Sequence, residues 1–81
     1  MKKIILKIDG MYCDMCQSHI NNIIRNNFKI KKVSSNHSKG ISEIISEDII
    51  EKDDLIKAFE GSGYKIIEYN IEDYKKKGLF G

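Results

Sequence analysis

Two thiols, Cys13 and Cys16, stand two residues apart in the stretch IDGMYCDMC (residues 8–16), and the 81-residue chain has no others. Thiols at that spacing have several chemical uses: a disulfide staple, a redox couple, half of a zinc site, or a clamp on one soft ion. A structural zinc site takes four ligands, usually two such pairs or one pair with two histidines. The only histidines are His19 and His37. His19 falls one turn after Cys16, and nothing in the sequence pattern aims His37 at the cysteines. A thioredoxin-type redox pair also sits at a helix N-terminus. Those folds face the pair with a cis-proline, and this chain contains no proline. An inert pair of small buried hydrophobes is the bland reading; the polar surroundings weigh against it. Soft thiolate donors select ions such as Cu(I), which accepts low coordination by sulfur.

The elements that must position the thiols follow from periodicity. Residues 2–8 alternate, with Ile4, Leu6 and Ile8 on one face, and predict a half-buried strand ended by Asp9 and Gly10. Residues 14–27 place Ile20, Ile23 and Ile24 at helical spacing, with Asp14 as a candidate N-cap and Gln17 three residues on. Cys13 then falls in the loop and Cys16 in the first helical turn. There the free N–H groups and the positive end of the helix dipole stabilise a thiolate. The asparagines of this helix are poor helix formers, so tertiary packing must hold it. Residues 30–37 predict a second strand, interrupted by Ser34, Ser35 and Asn36, followed by a turn at Ser38-Lys39-Gly40. Residues 41–46 predict a third strand of uncertain register, since Ile41 and Ile45 share one face and Ile44 takes the other. Residues 51–60 predict a second helix with acidic residues in its first turn, stopped by Gly61 and Gly63. Residues 64–70 predict a fourth strand. The order β-α-β-β-α-β predicts an α+β, ferredoxin-like sandwich, one four-stranded antiparallel sheet with both helices on one face. The expected boundaries are a domain over 1–70 and a polar tail over 71–81, ending KKKGLFG.

The bulk numbers limit the alternatives. Eighty-one residues make one small domain, which buries only about 60–65% of the surface its unfolded chain exposes. The net charge of +2 is too small to indicate nucleic acid. Residues 1–40 carry eight Lys/Arg against Asp9 and Asp14, and residues 41–81 carry six Lys against ten Asp/Glu. Such asymmetry reads first as solvated faces. The apolar run after Lys2 and Lys3 is cut by Lys7, far short of a secretory signal. No stretch approaches the ~20 apolar residues of a membrane helix. The expected location is the cytoplasm, where thiols stay reduced.

Gly10-Met11-Tyr12-Cys13-Asp14-Met15-Cys16 after a first strand resembles the metal loop of heavy-metal-associated domains, the family of copper chaperones and of the N-terminal domains of copper-transporting P-type ATPases. The resemblance extends over about residues 3–69 and includes Gly63-Tyr64, where the family has a Gly-Tyr pair opening the last strand. It implies that Cys13 and Cys16 bind the metal and that Gly10, Met11 and Tyr64 support the loop, Met11 as a core anchor. It further implies a non-enzymatic cytoplasmic carrier of Cu(I) that hands the ion to the metal-binding domain of a P-type ATPase, as a monomer or a metal-bridged dimer. Hg(II) or Zn(II)/Cd(II) binding on the same fold, with Asp14 as the nearest third ligand for zinc, stays open, as does a dithiol redox protein. The start at Met1 favours a free-standing chaperone over a transporter fragment. Tyr12 departs from the family, which has Thr or Ser there. Met15 and His19 are expected as surface residues, although either side chain could offer a ligand. Ser35 and His37 fall where the family pattern leads one to expect apolar core.

Overall fold

The structure, a computed structural model, describes residues 1–74. Its elements are β1 (Lys2–Asp9), α1 (Asp14–Asn27), β2 (Lys32–Asn36), β3 (Ile41–Ser46), α2 (Lys52–Ala58) and β4 (Lys65–Asp73). The four strands form one sheet in the order β2-β3-β1-β4, with every neighbouring pair antiparallel. Alternation in β1 buries Ile4, Leu6 and Ile8. These join Val33, Ile44, Ile20, Ile24, Leu55 and Phe59 in a single cluster. Both helices therefore cover the same face of the sheet, as in the ferredoxin-like sandwich that the element order predicts. Each fully buried Ile or Leu contributes about 1.5–3 kcal/mol relative to exposure, so this layer carries most of the stability.

The register of β3 is set by its neighbours. Ile44 lies opposite Ile4 on β1 and Val33 on β2, so Ser42, Ile44 and Ser46 face the helices while Ile41 and Ile45 take the other side. Ser42 and Ser46 are fully buried but bonded. Ser42 Oγ is 2.7 Å from Ser35 Oγ, and Ser46 donates to the Asp48 carbonyl. A buried hydroxyl with a partner avoids the penalty of an unsatisfied one.

Several elements differ from the sequence expectation, among them α2, which ends at Ala58 rather than at 60. Strand β4 runs three residues beyond 70. Ile71 continues the apolar row opposite Ile4, and Glu72 and Asp73 lie opposite Lys3 and Lys2, with Lys2 bonded to Asp73. What reads as polar tail is thus an edge strand held partly by cross-strand charge. Strand β2 is shorter than expected, starting at Lys32, and lies at the other edge. Asp14 is not the N-cap of α1; Cys13 is, and its side chain makes no capping bond. Residues 75–81, the KKKGLFG end of the expected tail, lie outside the described residues.

This topology gathers three connections at one end. The Ile8 N–H, near the end of β1, donates to the Gly40 carbonyl at 2.8 Å, which ties the β2–β3 turn to the start of the β1–α1 loop. Gly10 of that loop lies against Gly63 and Tyr64 of the α2–β4 connection.

Candidate metal centre

The loop between β1 and α1 is built from the inside outward. Gly10 has φ +103°, a conformation that residues with a Cβ rarely adopt. A Cβ there would also lie 3.1 Å from the Gly63 carbonyl oxygen and 3.2 Å from Tyr64 Cδ1. Glycine both makes the turn and admits the α2–β4 connection. Met11 is only 1% exposed and belongs to the core cluster, so the loop is rooted one residue after it turns. Tyr12 is 76% exposed. Its hydroxyl donates to Asp9 Oδ1 at 3.1 Å, and the carboxylate raises its pKa. Tyr12 thus closes the turn from outside.

Cys13 is the N-cap, in extended conformation, and its carbonyl accepts from the Gln17 N–H at 3.2 Å. Cys16 lies one turn on, partly buried against the core cluster. Both cysteines are free thiols, with Sγ atoms 3.1 Å apart. The Cys16 thiol is lowered from 9.0 to about 7, first by a hydrogen bond from Cys13, then by one from Tyr64, with the Tyr12 N–H adding to them. Once Cys16 is a thiolate it has no hydrogen to give, and the Cys13 thiol is the donor between the sulfurs. Tyr64 is pushed up to about 12, chiefly because its hydroxyl bonds Cys16, with burial and the two sulfurs' charges adding to the effect. The helix N-terminus supplies the remaining bias toward thiolate.

The residues singled out in the sequence are not all drawn together. Gly10, Met11, Tyr64 and the two cysteines converge. Met15 is 69% exposed. His19 Nδ1 lies 3.3 Å from the Tyr64 hydroxyl, so it lines up behind the tyrosine. His37 does not reach the cysteines, as expected, but it is bonded to α1. Its backbone N–H donates to Gln17 Oε1 at 2.7 Å, and its ring Nδ1 is 2.6 Å from the same oxygen and 3.3 Å from Asp14 Oδ1. Asp14 thus faces His37. Among the described residues, no group of three or more His, Cys, Asp and Glu side chains converges so as to hold a metal ion. The centre offers two sulfurs. The Gln17–His37 link is the part that sequence reading missed, since a hydrogen bond across 20 residues leaves no periodic trace.

No protein-family model matches the chain, and no curated protein does. Solved structures match well. The CopZ metallochaperone is 23% identical with a TM-score of 0.70, covering 80% of this chain and 98% of its own. The N-terminal domain of ZntA in its Zn(II) form gives 0.71 at 17% identity, covering 93% and 97%. The chain shares the fold of these metal-binding proteins. A copper-binding domain from the P-type ATPase HMA7 shares the fold at 18% identity and TM-score 0.70, covering 94% of this chain and all of its own. No helix among the described residues is long and apolar enough to cross a membrane.

Proposed function

We propose that this protein binds a soft metal ion, Cu(I), between Cys13 and Cys16 and passes it by thiolate exchange to the metal-binding domain of a P-type ATPase. One observation carries the reading. Two free thiols stand 3.1 Å apart at a helix N-terminus, with Cys16 lowered to about 7. A soft ion of low coordination number fits two thiolates without a third donor. Zinc prefers four, and Asp14, the nearest carboxylate, faces His37 instead. Gly10, Met11 and Tyr64 support the loop in this reading.

The mechanism is binding and exchange rather than catalysis. Binding displaces the proton shared by the sulfurs, so uptake weakens as pH falls below the Cys16 value of about 7. Thiolate–metal bonds of about 2.3 Å, the length seen with zinc, cannot lie on opposite sides of an ion between sulfurs 3.1 Å apart. Loading therefore spreads the pair. Cys13 is exposed at the loop and Cys16 is packed against the core, so Cys13 makes most of that movement. Its exposure also lets a partner's thiolate reach the same ion before the first bond breaks. Such exchange needs reduced thiols, the state that the cytoplasm maintains.

The test is an anaerobic titration of reduced protein with Cu(I) against a chromophoric chelator, with Zn(II) in parallel. The expected result is tight binding at one ion per chain or per two chains that zinc does not displace, lost in Cys13→Ser and Cys16→Ser while circular dichroism stays native. Loss of Cu(I) to the chelator, with ready cycling to a disulfide, would replace this reading with a redox one.

A further inference from the structure

Helix α1 starts without a side-chain cap. A capping side chain shifts the closing equilibrium of a first turn by about fivefold. The uncapped turn carries Cys16, so its opening alters the placement of the two sulfurs. On one side Tyr64 steadies it. On the other side lies His37, in the β2–β3 turn.

The bonding there can be assigned atom by atom. The His37 backbone N–H points at Gln17 Oε1 at 2.7 Å, which fixes the amide with its oxygen toward the histidine. The ring Nδ1 then has two acceptors, Gln17 Oε1 at 2.6 Å and Asp14 Oδ1 at 3.3 Å. Nδ1 must carry hydrogen in the neutral ring, as it does in the imidazolium. Asp14 and Gln17 are three residues apart and share one helix face, so a single ring spans the whole first turn. Ser35 Oγ extends the same seam, donating to Asn21 Oδ1 at 2.6 Å.

We propose that His37 is a positioning residue for the dithiol: its backbone N–H and its Nδ1–H, on Gln17 and Asp14, close the first turn of α1 from outside and fix Cys16 relative to Cys13. This rests on the reading of both cysteines as metal ligands. A closed turn keeps both thiolates on the ion; an open one presents them singly and releases it.

Wild type, His37→Ala and His37→Asn are compared, reduced and anaerobic. Asparagine places an amide N–H near the position of Nδ1. One readout is hydrogen exchange at the Gln17 and Ile24 amides in metal-free protein; the other is the rate of Cu(I) release to a chelator. Loss of the Nδ1–H contacts to Gln17 and Asp14 in His37→Ala, with the backbone N–H to Gln17 kept, should speed exchange at Gln17 by about 5-fold, leave Ile24 unchanged and speed release several-fold. His37→Asn should restore both to within about twofold, because its amide N–H replaces the Nδ1–H that alanine lacks. The proposal is overturned by wild-type exchange or wild-type release in His37→Ala, by equal acceleration at Gln17 and Ile24, or by an asparagine variant that behaves like alanine. A wild type that does not retain Cu(I) overturns the functional reading instead, and Gln17 exchange still decides whether His37 holds the turn.

Discussion

The stripe of α1 that carries Ile20 and Ile24 and the stripe that carries Asp14, Gln17 and Asn21 run side by side, but they join the sheet by different forces. The first is fully buried in the apolar cluster with Ile4, Leu6 and Ile44. The second is bonded to β2 and its turn, through His37 to Gln17 and Asp14 and through Ser35 to Asn21. Apolar burial is strong and non-directional. Hydrogen bonds contribute less net free energy but fix direction and distance. The apolar stripe thus keeps the helix on the sheet, and the polar stripe sets how its first turn is held. The sheet shows the same division across its strands. One cross-strand row reads Val33, Ile44, Ile4, Ile71, and the next reads Ser35, Ser42, Leu6, Tyr69. The polar half lies toward the β2 edge, where polarity also discourages pairing with another chain.

The sharpest way to break this comparison is to truncate one residue from each stripe. Ile24→Ala removes a fully buried side chain and should destabilise the domain by about 2–5 kcal/mol. Asn21→Ala leaves Ser35 Oγ its bond to Ser42 and should cost about 1 kcal/mol. Urea unfolding of the metal-free proteins measures both. Equal losses would mean that the polar seam is as much a source of stability as the core.

Gly10→Ala comes next. The φ of +103° and the 3.1 Å approach to a backbone oxygen act together, and the strain should cost about 1–3 kcal/mol. Because the clash falls on Gly63 and Tyr64, the variant should also disturb the tyrosine over Cys16. Unfolding midpoints and Cys16 alkylation, measured together, check this. A variant as stable as wild type would show that the loop relaxes without Gly10.

Much of this contrast was legible in the sequence, and the part that was not has a physical cause. The apolar stripe repeats at helical spacing, so the span of α1 is legible although its N-cap is not, and the alternation of β1 marks its buried face. The cysteine pair stands out by its spacing and its place before α1, although several chemistries fit that spacing. Ser35 and His37 read as weaknesses of the second strand because their partners, Asn21 and Gln17, sit 14 and 20 residues away on a helix whose asparagines read only as poor helix formers. Two unfavourable signals compensate each other in space, and no local pattern says so. Strand β4 is underestimated for a related reason. Glu72 and Asp73 look like solvent-facing tail until Lys3 and Lys2 are placed opposite them.

The two sides of the first turn differ in one further, measurable way. Tyr64 acts on the Cys16 sulfur itself, whereas His37 acts on Gln17 and Asp14. The Tyr64 hydroxyl is the second of the interactions that lower Cys16 to about 7, after the bond from Cys13. Tyr64→Phe removes it, so the thiol should move up toward its ordinary 9.0 but stop short, since Cys13 still donates. Only the thiolate reacts with iodoacetamide, so wild-type Cys16 should react faster as pH rises through about 7. The midpoint should lie higher in Tyr64→Phe and stay put in His37→Ala. The sign for stability follows from the same depression: the folded thiol's contribution is complete above the unfolded value and is lost as pH falls through about 7. A Tyr64→Phe midpoint still near 7 would leave Cys13 and the helix N-terminus as sufficient causes, and the tyrosine would then be a packing residue over Gly10.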